Sequence, residues 1–352
     1  MSDCKRILLI SHEMTYTGAP NSLLNMARLL RSKGCRITVK TLFFGNFSRE
    51  YLRYGFSVKR IDENISKQEG IKISKKYDLV ICNTVFCAKI ACLLQNYLKT
   101  ILLIREAENL PEILETNHID EGYLRNIDNV VCVSEYAERF IDKTYRPKHL
   151  WVLHNFLMTS KLYRPCENKI RKGKVHFLIA ATIEKRKGID VAIEAVKLLP
   201  KHISEQLALD IAGRKPEWSR DYWEDLIPED DARFKYHGEV TLGKKRLFKR
   251  SNVILVPSFD ESCSLTALEG GMLGKPLIVT ENVGARYMTE GSGFVVNTGS
   301  AEELARAMEF FVMNKETLDT AGKICFQQFR KTSVKEVYYK NIMKIISEVL
   351  GE

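Results

Sequence analysis

The stretch from Ser251 to Asn282, SNVILVPSFDESCSLTALEGGMLGKPLIVTEN, decides the fold of this chain. Two apolar runs, Val253 to Val256 and Pro276 to Thr280, predict buried strands. The segment Leu265 to Leu273 between them predicts a short helix that a glycine ends. A strand, a helix and a strand in this order form a βαβ unit with parallel strands.

Two glutamates give this unit a chemical character. Glu261 and Glu269 lie eight residues apart, so one belongs to the loop before the helix and the other lies about one turn inside it. The residues at the helix mouth are Ser262, Cys263, Ser264 and Leu265. Their backbone amides lack partners within the helix, and the helix dipole attracts phosphate there. Such a mouth can hold a diphosphate while Glu269 accepts hydrogen bonds from a ribose. Alternatively, Glu261 only complements the dipole and Glu269 is an ordinary helical residue.

Length and composition predict two folded domains. A chain of 352 residues exceeds one ordinary core, and 45% apolar with 28% charged residues is typical of folded soluble proteins. No apolar run approaches the ~20 residues that span a bilayer, and the opening MSDCKRILLISHEM predicts a strand rather than a signal peptide. We therefore expect a cytoplasmic protein.

The net charge limits the classes of binding partner, and the cysteine pattern indicates the redox environment. The net charge of +10 indicates an anionic partner such as a nucleic acid, a nucleotide or a phospholipid surface. No zinc finger, RRM signature or basic heptad array accompanies this charge, so nucleic acid is the least favoured of the three. The nine cysteines include no Cys-x-x-Cys pair, which favours free thiols in a reducing compartment over disulfides or zinc.

Apolar runs alternate with helical segments along the whole chain. Further strands are predicted at residues 5–11, 35–42, 56–61, 79–83, 100–104, 130–134, 150–153, 175–181, 207–212, 234–237 and 294–296. This alternation predicts right-handed crossovers and mostly parallel sheets, with ligands beyond the carboxyl ends of the strands.

A polar, basic segment at residues 157–174 predicts a linker between the halves. We therefore predict an N-terminal Rossmann-like domain at 1–165, a C-terminal Rossmann-like domain at 166–330, and a helix within 331–352 that returns toward the first domain. Two doubly wound α/β domains would face a cleft, to which each offers its loop ends.

Several of these segments together resemble the retaining glycosyltransferases of family 4, which have the GT-B fold. Spread over nearly the whole chain, they are HEMTYTGAPNSLL, VVCVSEYAERFI, VLHNF, TIEKRKGIDVAIEA, LALDIAG, FKYHGEV and PSFDESCSLTALEGGMLGKPLIVTENVGA. The Glu-x7-Glu pattern at Glu261 and Glu269 is the signature of that family.

The resemblance implies a nucleotide-sugar donor and a role for each donor-side residue. Glu269 would bind the ribose hydroxyls, and Glu261 would touch the donor sugar. Lys187, next to Arg186, would pair with the diphosphate across from the amides of the helix mouth. The segment from His237 to Val240 would lie against the base.

The resemblance also implies the chemistry. In transfer without inversion the acceptor hydroxyl lies on the same face as the departing diphosphate, which can take the proton, so no protein nucleophile is needed. A fixed cation and preorganised amides stabilise the charge that gathers on the leaving group. The sequence has no Asp-x-Asp pair, so we expect no metal and no cofactor beyond the nucleotide sugar.

Some positions depart from the usual family pattern. The paired glycines of the first loop are here Gly18 and alanine, so close approach to phosphate rests on one flexible residue. Thr182 stands where many relatives carry an arginine, for which Arg186 is the candidate substitute. A histidine often found after the fifth strand is replaced by Arg105, and His12 could occupy nearby space. The Ser-Cys-Ser sequence after Glu261 alters the sugar pocket, so the donor sugar is not carried over.

Several candidates also have plainer explanations. His12 could merely cap a loop, Arg105 could pair with Glu106 or Glu108, and Arg186 belongs to a Lys-Arg-Lys run that could be a solvated face. His154 and Asn155 could simply satisfy backbone groups at the end of a strand.

Two basic clusters raise the question of a membrane surface. The first covers Lys72 to Lys76 and would suit a peripheral contact of the N-terminal domain with an anionic membrane. The second, Gly243 to Ser251, interleaves Leu247 and Phe248 with basic residues, which is typical either of a helix on an anionic membrane or of a core-facing pair with a solvated flank.

We therefore predict a cytoplasmic, metal-independent, retaining glycosyltransferase that moves a hexose from a nucleoside diphosphate sugar, such as a UDP-sugar, to a glycan or lipid-linked acceptor. Glu261, Lys187, Arg105 and His12 are its candidate catalytic residues. Two rivals stay open: a silent glycosyltransferase-like binding or chaperone subunit, and another nucleotide-sugar enzyme such as an epimerase, which would need acid–base groups in the cleft.

Overall fold

A computed structural model of the chain describes residues 4–159, 164–228, 230–240 and 243–352. These residues divide into two compact units, one of Met1–Met158 with Lys335–Glu352 and the other of Thr159–Val334. Residues 160–163 of the predicted linker lie outside the described residues.

The first unit is an α/β domain. Its strands are β1 (Arg6–Ser11), β2 (Arg36–Thr41), β3 (Val58–Arg60), β4 (Leu79–Asn83), β5 (Thr100–Ile104), β6 (Asn129–Cys132) and β7 (His149–Val152). Its helices include α1 (Gly18–Ser32), α2 (Ser48–Arg53), α3 (Lys67–Lys76), α4 (Ala88–Leu94), α5 (Leu110–Thr116), α6 (Glu121–Arg125) and α7 (Glu135–Thr144). Over the described residues the strands form one parallel sheet in the order β3-β2-β1-β4-β5-β6-β7.

The second unit repeats this construction. Its strands are β8 (Val175–Ala180), β9 (Leu207–Ala212), β10 (Phe234–Tyr236), β11 (Val253–Val256), β12 (Leu277–Thr280) and β13 (Phe294–Val296). Its helices are α8 (Ile189–Leu198), α9 (Lys201–Ser204), α10 (Arg220–Trp223), α11 (Lys244–Arg250), α12 (Leu265–Met272), α13 (Ala301–Met313) and α14 (Leu318–Thr332). The parallel sheet of its described residues has the order β10-β9-β8-β11-β12-β13.

The last helix, α15 (Lys335–Leu350), belongs to the first unit. Its apolar residues recur at helical spacing and are buried in the core that also holds β1 and α1. The Tyr338 ring lies 4.2 Å, centroid to centroid, from the ring of Phe156, just after β7. The indole of Trp151 on β7 donates a 2.8 Å hydrogen bond to the Glu348 carboxylate near the end of α15.

Short 3-10 helices complete the described structure at Val85–Cys87, Lys185–Lys187, Glu217–Ser219, Gly284–Thr289 and Lys315–Thr317. Central strands such as β4 and β5 are buried along their whole length because helices cover both faces of a parallel sheet. The predicted α/β class with two parallel sheets is confirmed, and each predicted strand is present with small shifts at its ends.

The beginning of α1 differs from the prediction. We expected a loop up to Pro20, but the helix already begins at Gly18, after Thr17 as its N-cap. A proline is tolerated in a first helical turn because its missing N–H would have no partner there. Gly18 is therefore a helical residue and does not belong to the loop.

Each sheet has one point where the chain changes the direction in which it adds strands. In the first unit this point lies between β1 and β4, and in the second between β8 and β11. Loops at the carboxyl ends of strands diverge at such a switch point and leave a crevice for ligands. The fold therefore singles out the segments after β1 and β4 and those after β8 and β11.

One buried lysine sets a pH dependence of stability. Lys275 is fully buried, and its ammonium donates hydrogen bonds to Asn168 Oδ1 at 2.9 Å and to the Lys249 carbonyl at the end of α11 at 3.4 Å. Burial disfavours the charged form and lowers the pKa of Lys275 to about 8 from an ordinary value of 10.5. Between these two pH values the unfolded chain binds a proton that the folded chain does not, so rising pH stabilises the fold through this group.

We predict that the Lys275→Met variant removes this dependence. The free energy of unfolding of the wild type minus that of the variant should rise by up to about 3 kcal/mol between pH 8 and pH 10.5. Urea unfolding at intervals across this range measures the difference, and titration of the cysteines and tyrosines cancels because both proteins share them. Parallel curves for the two proteins would contradict the prediction.

Candidate active site

The loop after β8 touches the loop after β11 through a glycine. Gly188 has a φ of +62°, and a Cβ at this position would lie 2.0 Å from the Pro257 carbonyl oxygen. No other residue type fits such a contact without a shift of the backbone. The Phe259 amide also donates a 2.8 Å hydrogen bond to the Arg186 carbonyl, so the two loops are joined along their backbones.

Arg186 strengthens the same junction. Its guanidinium donates 2.7 Å and 2.8 Å hydrogen bonds to the Asp260 carbonyl and the Glu184 carboxylate, respectively. The side chain therefore joins the two loops while it remains 40% exposed. Its predicted part in binding the diphosphate stays a prediction.

The predicted cation and the predicted sugar-contacting acid meet directly. The Lys187 ammonium donates a hydrogen bond to the Glu261 carboxylate, and both side chains are largely buried, at 13% and 19% exposed. The backbone of Glu261 is itself fixed, because its amide bonds to the Asn282 carbonyl and its carbonyl accepts from Gly284. Lys187 thus points at the turn that leads into α12.

The mouth of α12 is built as an anion-binding helix start would be. Ser264 is the N-cap and its hydroxyl accepts a 3.2 Å hydrogen bond from the Ala267 amide. The Thr266 hydroxyl donates to the Ala180 carbonyl at 2.7 Å, which ties the first turn to the end of β8. The helix itself offers no partner to the amides of Leu265 and Thr266.

Glu269 lies one turn inside α12 and carries a partner that the sequence analysis missed. The Lys244 ammonium, at the start of α11, lies 2.9 Å from Oε1 and 2.7 Å from Oε2 of Glu269. Oε2 is buried and, among the described residues, accepts no hydrogen bond of good geometry despite that close charge.

Phe248 of the basic cluster Gly243 to Ser251 is 1% exposed, so its apolar face packs into the core and does not suit a membrane surface.

The segment predicted to lie against the base begins with an anchored histidine. His237 Nε2 lies 2.5 Å from Asp210 Oδ1, and His176 Nδ1 lies 2.9 Å from Asp210 Oδ2. Burial alone would raise the pKa of Asp210, but the hydrogen bonds from the two histidines outweigh it and lower that pKa. An ionised carboxylate only accepts, so both histidines donate to it through these nitrogens.

The backbone beyond His237 is also held in place. The Gly213 amide at the end of β9 donates a 2.9 Å hydrogen bond to the Gly238 carbonyl. Val240 is half-buried and directly precedes residues 241 and 242, which lie outside the described residues. The imidazole of His237 thus points at Asp210. If this segment lies against the base, as predicted, its backbone would make the contact.

Gly18 and His12 flank the first loop of the first unit. A Cβ added to Gly18 meets nothing within 4 Å, so the folded chain itself does not require glycine there. The His12 ring stacks on Phe86 with centroids 4.7 Å apart, and its Nδ1 lies 2.9 Å from the Thr84 hydroxyl. Burial lowers the pKa of His12, which favours a neutral imidazole at pH 7.

Arg105 is held by carboxamides at its position after β5. Its Nε donates to Asn83 Oδ1 at 2.6 Å, and its Nη1 donates to Asn155 Oδ1 at 3.0 Å. Glu106 is buried and accepts instead from the backbone amides of Arg105 at 2.9 Å and Val85 at 3.2 Å. The alternative of a surface ion pair with Glu106 is therefore not what these contacts show.

The structure brings the predicted residues together within each unit. Lys187, Glu261, Arg186 and the mouth of α12 gather after β8 and β11, while His12 and Arg105 gather after β1 and β5. The residues that the sequence analysis missed are Asn83, Thr84, Lys244 and Asp210. Asn83 and Thr84 could have been found, because they are the polar residues that end an apolar strand and the carboxyl ends of parallel strands face ligands.

The described residues contain no group of three or more histidine, cysteine, aspartate or glutamate residues that could hold a metal ion. Among the same residues, no helix is both long enough and apolar enough to cross a membrane.

Comparison with known proteins supports an enzyme that transfers sugars. The family model for glycosyl transferases group 1 matches residues 165–325, and that for glycosyl-transferase family 4 matches residues 3–103. An uncharacterised glycosyltransferase of Methanocaldococcus jannaschii is 22% identical over 85% of this chain and 81% of its own length. The D-inositol 3-phosphate glycosyltransferase of Paenarthrobacter aurescens is 27% identical over 44% of this chain and 40% of its own length.

Solved structures share the fold. HepE of Anabaena in complex with UDP matches with a TM-score of 0.81 and 18% identity, over 97% of this chain and all of that one. WaaG, a glycosyltransferase involved in lipopolysaccharide biosynthesis, matches with a TM-score of 0.69 and 14% identity, over 96% of this chain and 99% of that one.

The two parallel-sheet units, with the family matches on both, define a glycosyltransferase of the GT-B fold, and the predicted fold class is confirmed. The two model matches agree with the resemblance to the glycosyltransferases of family 4 that the sequence indicated.

Proposed function

We propose that this glycosyltransferase moves a hexose from a UDP-sugar to a glycan or lipid-linked acceptor with retention of anomeric configuration and without a metal ion. The observation that carries the proposal is the meeting of Lys187, Glu261 and the mouth of α12. A cation, a carboxylate and a helix start within one small region suit a ligand that combines a diphosphate with sugar hydroxyls. The complexes of HepE with UDP and with UDP-glucose support a UDP-sugar as the donor.

Each donor-side residue receives a part in this proposal. Lys187 and the amides of Leu265 and Thr266 take the diphosphate, whose charge grows as the bond to the sugar breaks. Glu261 accepts hydrogen bonds from sugar hydroxyls, and the Glu269 carboxylate accepts hydrogen bonds from the ribose hydroxyls. The departing phosphate oxygen takes the proton of the acceptor hydroxyl, so the step needs no protein base.

The first prediction of the proposed function concerns nucleotide binding. UDP at about 100 times its Kd should stabilise the wild type by about 2.7 kcal/mol, seen as a rise in Tm. Lys187→Met should weaken UDP binding about 100-fold, since it removes one member of a close charge pair. Glu269→Ala should weaken UDP more than 2′,3′-dideoxy-UDP, which lacks the ribose hydroxyls. Lys185→Met, an exposed neighbour in the same 3-10 helix, is the control.

These measurements test the identity of the nucleotide base separately from the location of the diphosphate site. A rise in Tm with another nucleoside diphosphate but none with UDP would overturn the choice of base and leave the diphosphate site intact. Equal UDP binding by the wild type and the Lys187→Met variant would overturn the site itself.

The product is the second prediction. With an α-linked UDP-hexose and an acceptor accepted by the enzyme, proton NMR of the anomeric signal should show an α-linkage, and excess EDTA should leave the rate within twofold. A β-linked product would contradict retention, and a rate that EDTA abolishes and Mg²⁺ or Mn²⁺ restores would contradict metal independence. Binding without UDP release across a donor panel would favour the silent subunit, and isomerised donor in the absence of acceptor would favour an epimerase.

A peripheral membrane contact in the cytoplasm is the third prediction. Three exposed lysines lie in the second half of α3, Lys72, Lys75 and Lys76, and Ile71 beside them is 40% exposed. Basic residues next to an exposed apolar side chain suit an anionic lipid surface. The protein should therefore sediment with phosphatidylglycerol vesicles and not with phosphatidylcholine vesicles. Changing the three lysines to glutamate should abolish this binding, whereas the same charge change at Lys197, Lys201 and Lys331 should not. Equal losses in both variants would mean that net charge alone acts.

A further inference from the structure

The dipeptide Asn83–Thr84 lies at the switch point of the first unit and touches both candidate residues of that unit. Asn83 ends β4, which pairs with β1 and β5. The loop that carries His12 follows β1, and Arg105 follows β5. The turn after β4 is therefore flanked by both segments.

Asn83 fixes the Arg105 guanidinium. Asn83 is fully buried, and its Oδ1 accepts from Arg105 Nε at 2.6 Å. Its Nδ2 donates to the Ala19 carbonyl in the first turn of α1 at 3.3 Å, which fixes the orientation of the carboxamide. Asn155 Oδ1 accepts from Nη1 at 3.0 Å. An arginine held through two of its nitrogens keeps one orientation of its planar group.

Thr84 fixes the His12 ring from a strained backbone. Its φ of 78° and ψ of 160° lie in a region that residues other than glycine rarely occupy, at a cost on the order of 1–3 kcal/mol. Its hydroxyl lies 2.9 Å from His12 Nδ1, and the ring stacks on Phe86, two residues beyond Thr84. Threonine, unlike glycine, supplies the hydroxyl that this nitrogen needs.

Glu106 holds the strained turn. Its buried carboxylate accepts from the Val85 amide at 3.2 Å and from the Arg105 amide at 2.9 Å, which joins the end of β4 to the end of β5. Burial raises the pKa of Glu106, partly offset by these backbone hydrogen bonds. A strained backbone conformation persists only where several contacts of the surrounding structure hold it in place. Such strained residues are concentrated at functional sites.

We propose that Asn83 and Thr84 are positioning residues for the transfer reaction, because one orients the Arg105 guanidinium and the other the His12 imidazole. The inference rests on the proposed function in so far as His12 and Arg105 act during transfer. The two neighbouring residues thus set the geometry of two side chains that come from separate segments of the chain.

The first test uses Thr84→Gly, Thr84→Ser and a matched control. Glycine relieves the backbone strain but removes the hydroxyl, so Thr84→Gly should have a Tm equal to or above that of the wild type and a kcat at least tenfold lower, with an unchanged KM for the donor. Thr84→Ser keeps the hydroxyl and should keep kcat within about threefold. Arg146→Gly relieves a positive φ of 47° at an exposed residue of the same unit and should leave kcat unchanged.

Two outcomes of this test overturn the role of Thr84. One is full kcat in Thr84→Gly, which would show that the hydroxyl is not needed. The other is an equal loss of kcat in Thr84→Ser and Thr84→Gly, which would show that the methyl group, rather than the contact with His12, matters.

The second test asks whether Asn83 acts through Arg105. Asn83→Ala should lower kcat at least tenfold in the wild type, yet less than twofold in an Arg105→Ala background, since the group it positions is then absent. Asn129→Ala removes a buried carboxamide at the other end of the same sheet, which donates to the Thr100 carbonyl, and should affect Tm alone. An equal factor in both backgrounds, or no loss in the wild type, overturns the role of Asn83.

A readout without turnover separates this inference from the proposed function. In the ligand-free wild type, the ¹⁵N shift of His12 Nδ1 should report its hydrogen bond to the Thr84 hydroxyl, and Thr84→Gly should change that shift. A wild type that releases UDP from no donor would defeat the proposed function whatever these shifts show. Unchanged His12 shifts in Thr84→Gly would defeat the positioning by Thr84 even in an active enzyme.

Discussion

The close contact between Gly188 and the Pro257 carbonyl is the constraint on which the donor side depends. It brings the backbone after β8 against the backbone after β11, and only a residue without a Cβ permits it. Lys187, one residue earlier, is thereby aimed at Glu261, four residues after Pro257. Because α12 begins just beyond, one backbone contact sets the distance from a cation to a carboxylate and a helix start that follow it by more than 70 residues in the chain.

The first unit holds its candidate residues in part with neutral side chains. The carboxamides of Asn83 and Asn155 accept hydrogen bonds from one guanidinium, and a hydroxyl lies beside an imidazole whose burial favours the neutral form. Buried amides cost less to desolvate than buried charges, provided that they are hydrogen-bonded. Buried carboxamides are therefore well suited to hold another side chain, such as the Arg105 guanidinium, in one position. The two units thus share a topology while they differ in the electrostatics of their switch points.

The fold and the donor-side residues of the second unit could be predicted from the sequence better than the site of the first unit. Apolar runs predicted each strand, and two residues singled out from the sequence, Lys187 and Glu261, contact each other in the structure. Lys244 was missed because its partner Glu269 lies on another helix, and no periodicity encodes such a pair. Likewise, nothing local shows that His237 turns toward Asp210, since that contact depends on strand order. Gly18 was placed in a loop because proline was taken as the first helical residue.

The charge pairs of the donor side also limit which ligands fit it. An anion that displaced Glu261 from Lys187 would leave a largely buried carboxylate without its cation, which costs several kcal/mol. A ligand avoids this cost if it brings negative charge to Lys187 and hydroxyl donors to Glu261 together. Glu269 is likewise paired with a cation, Lys244, so a ligand near it must offer hydrogen-bond donors to the carboxylate and not negative charge. Inorganic diphosphate satisfies only the cation, whereas a sugar joined through diphosphate to a ribose satisfies all of these groups, which is why the pairs favour a nucleotide sugar over a simple anion.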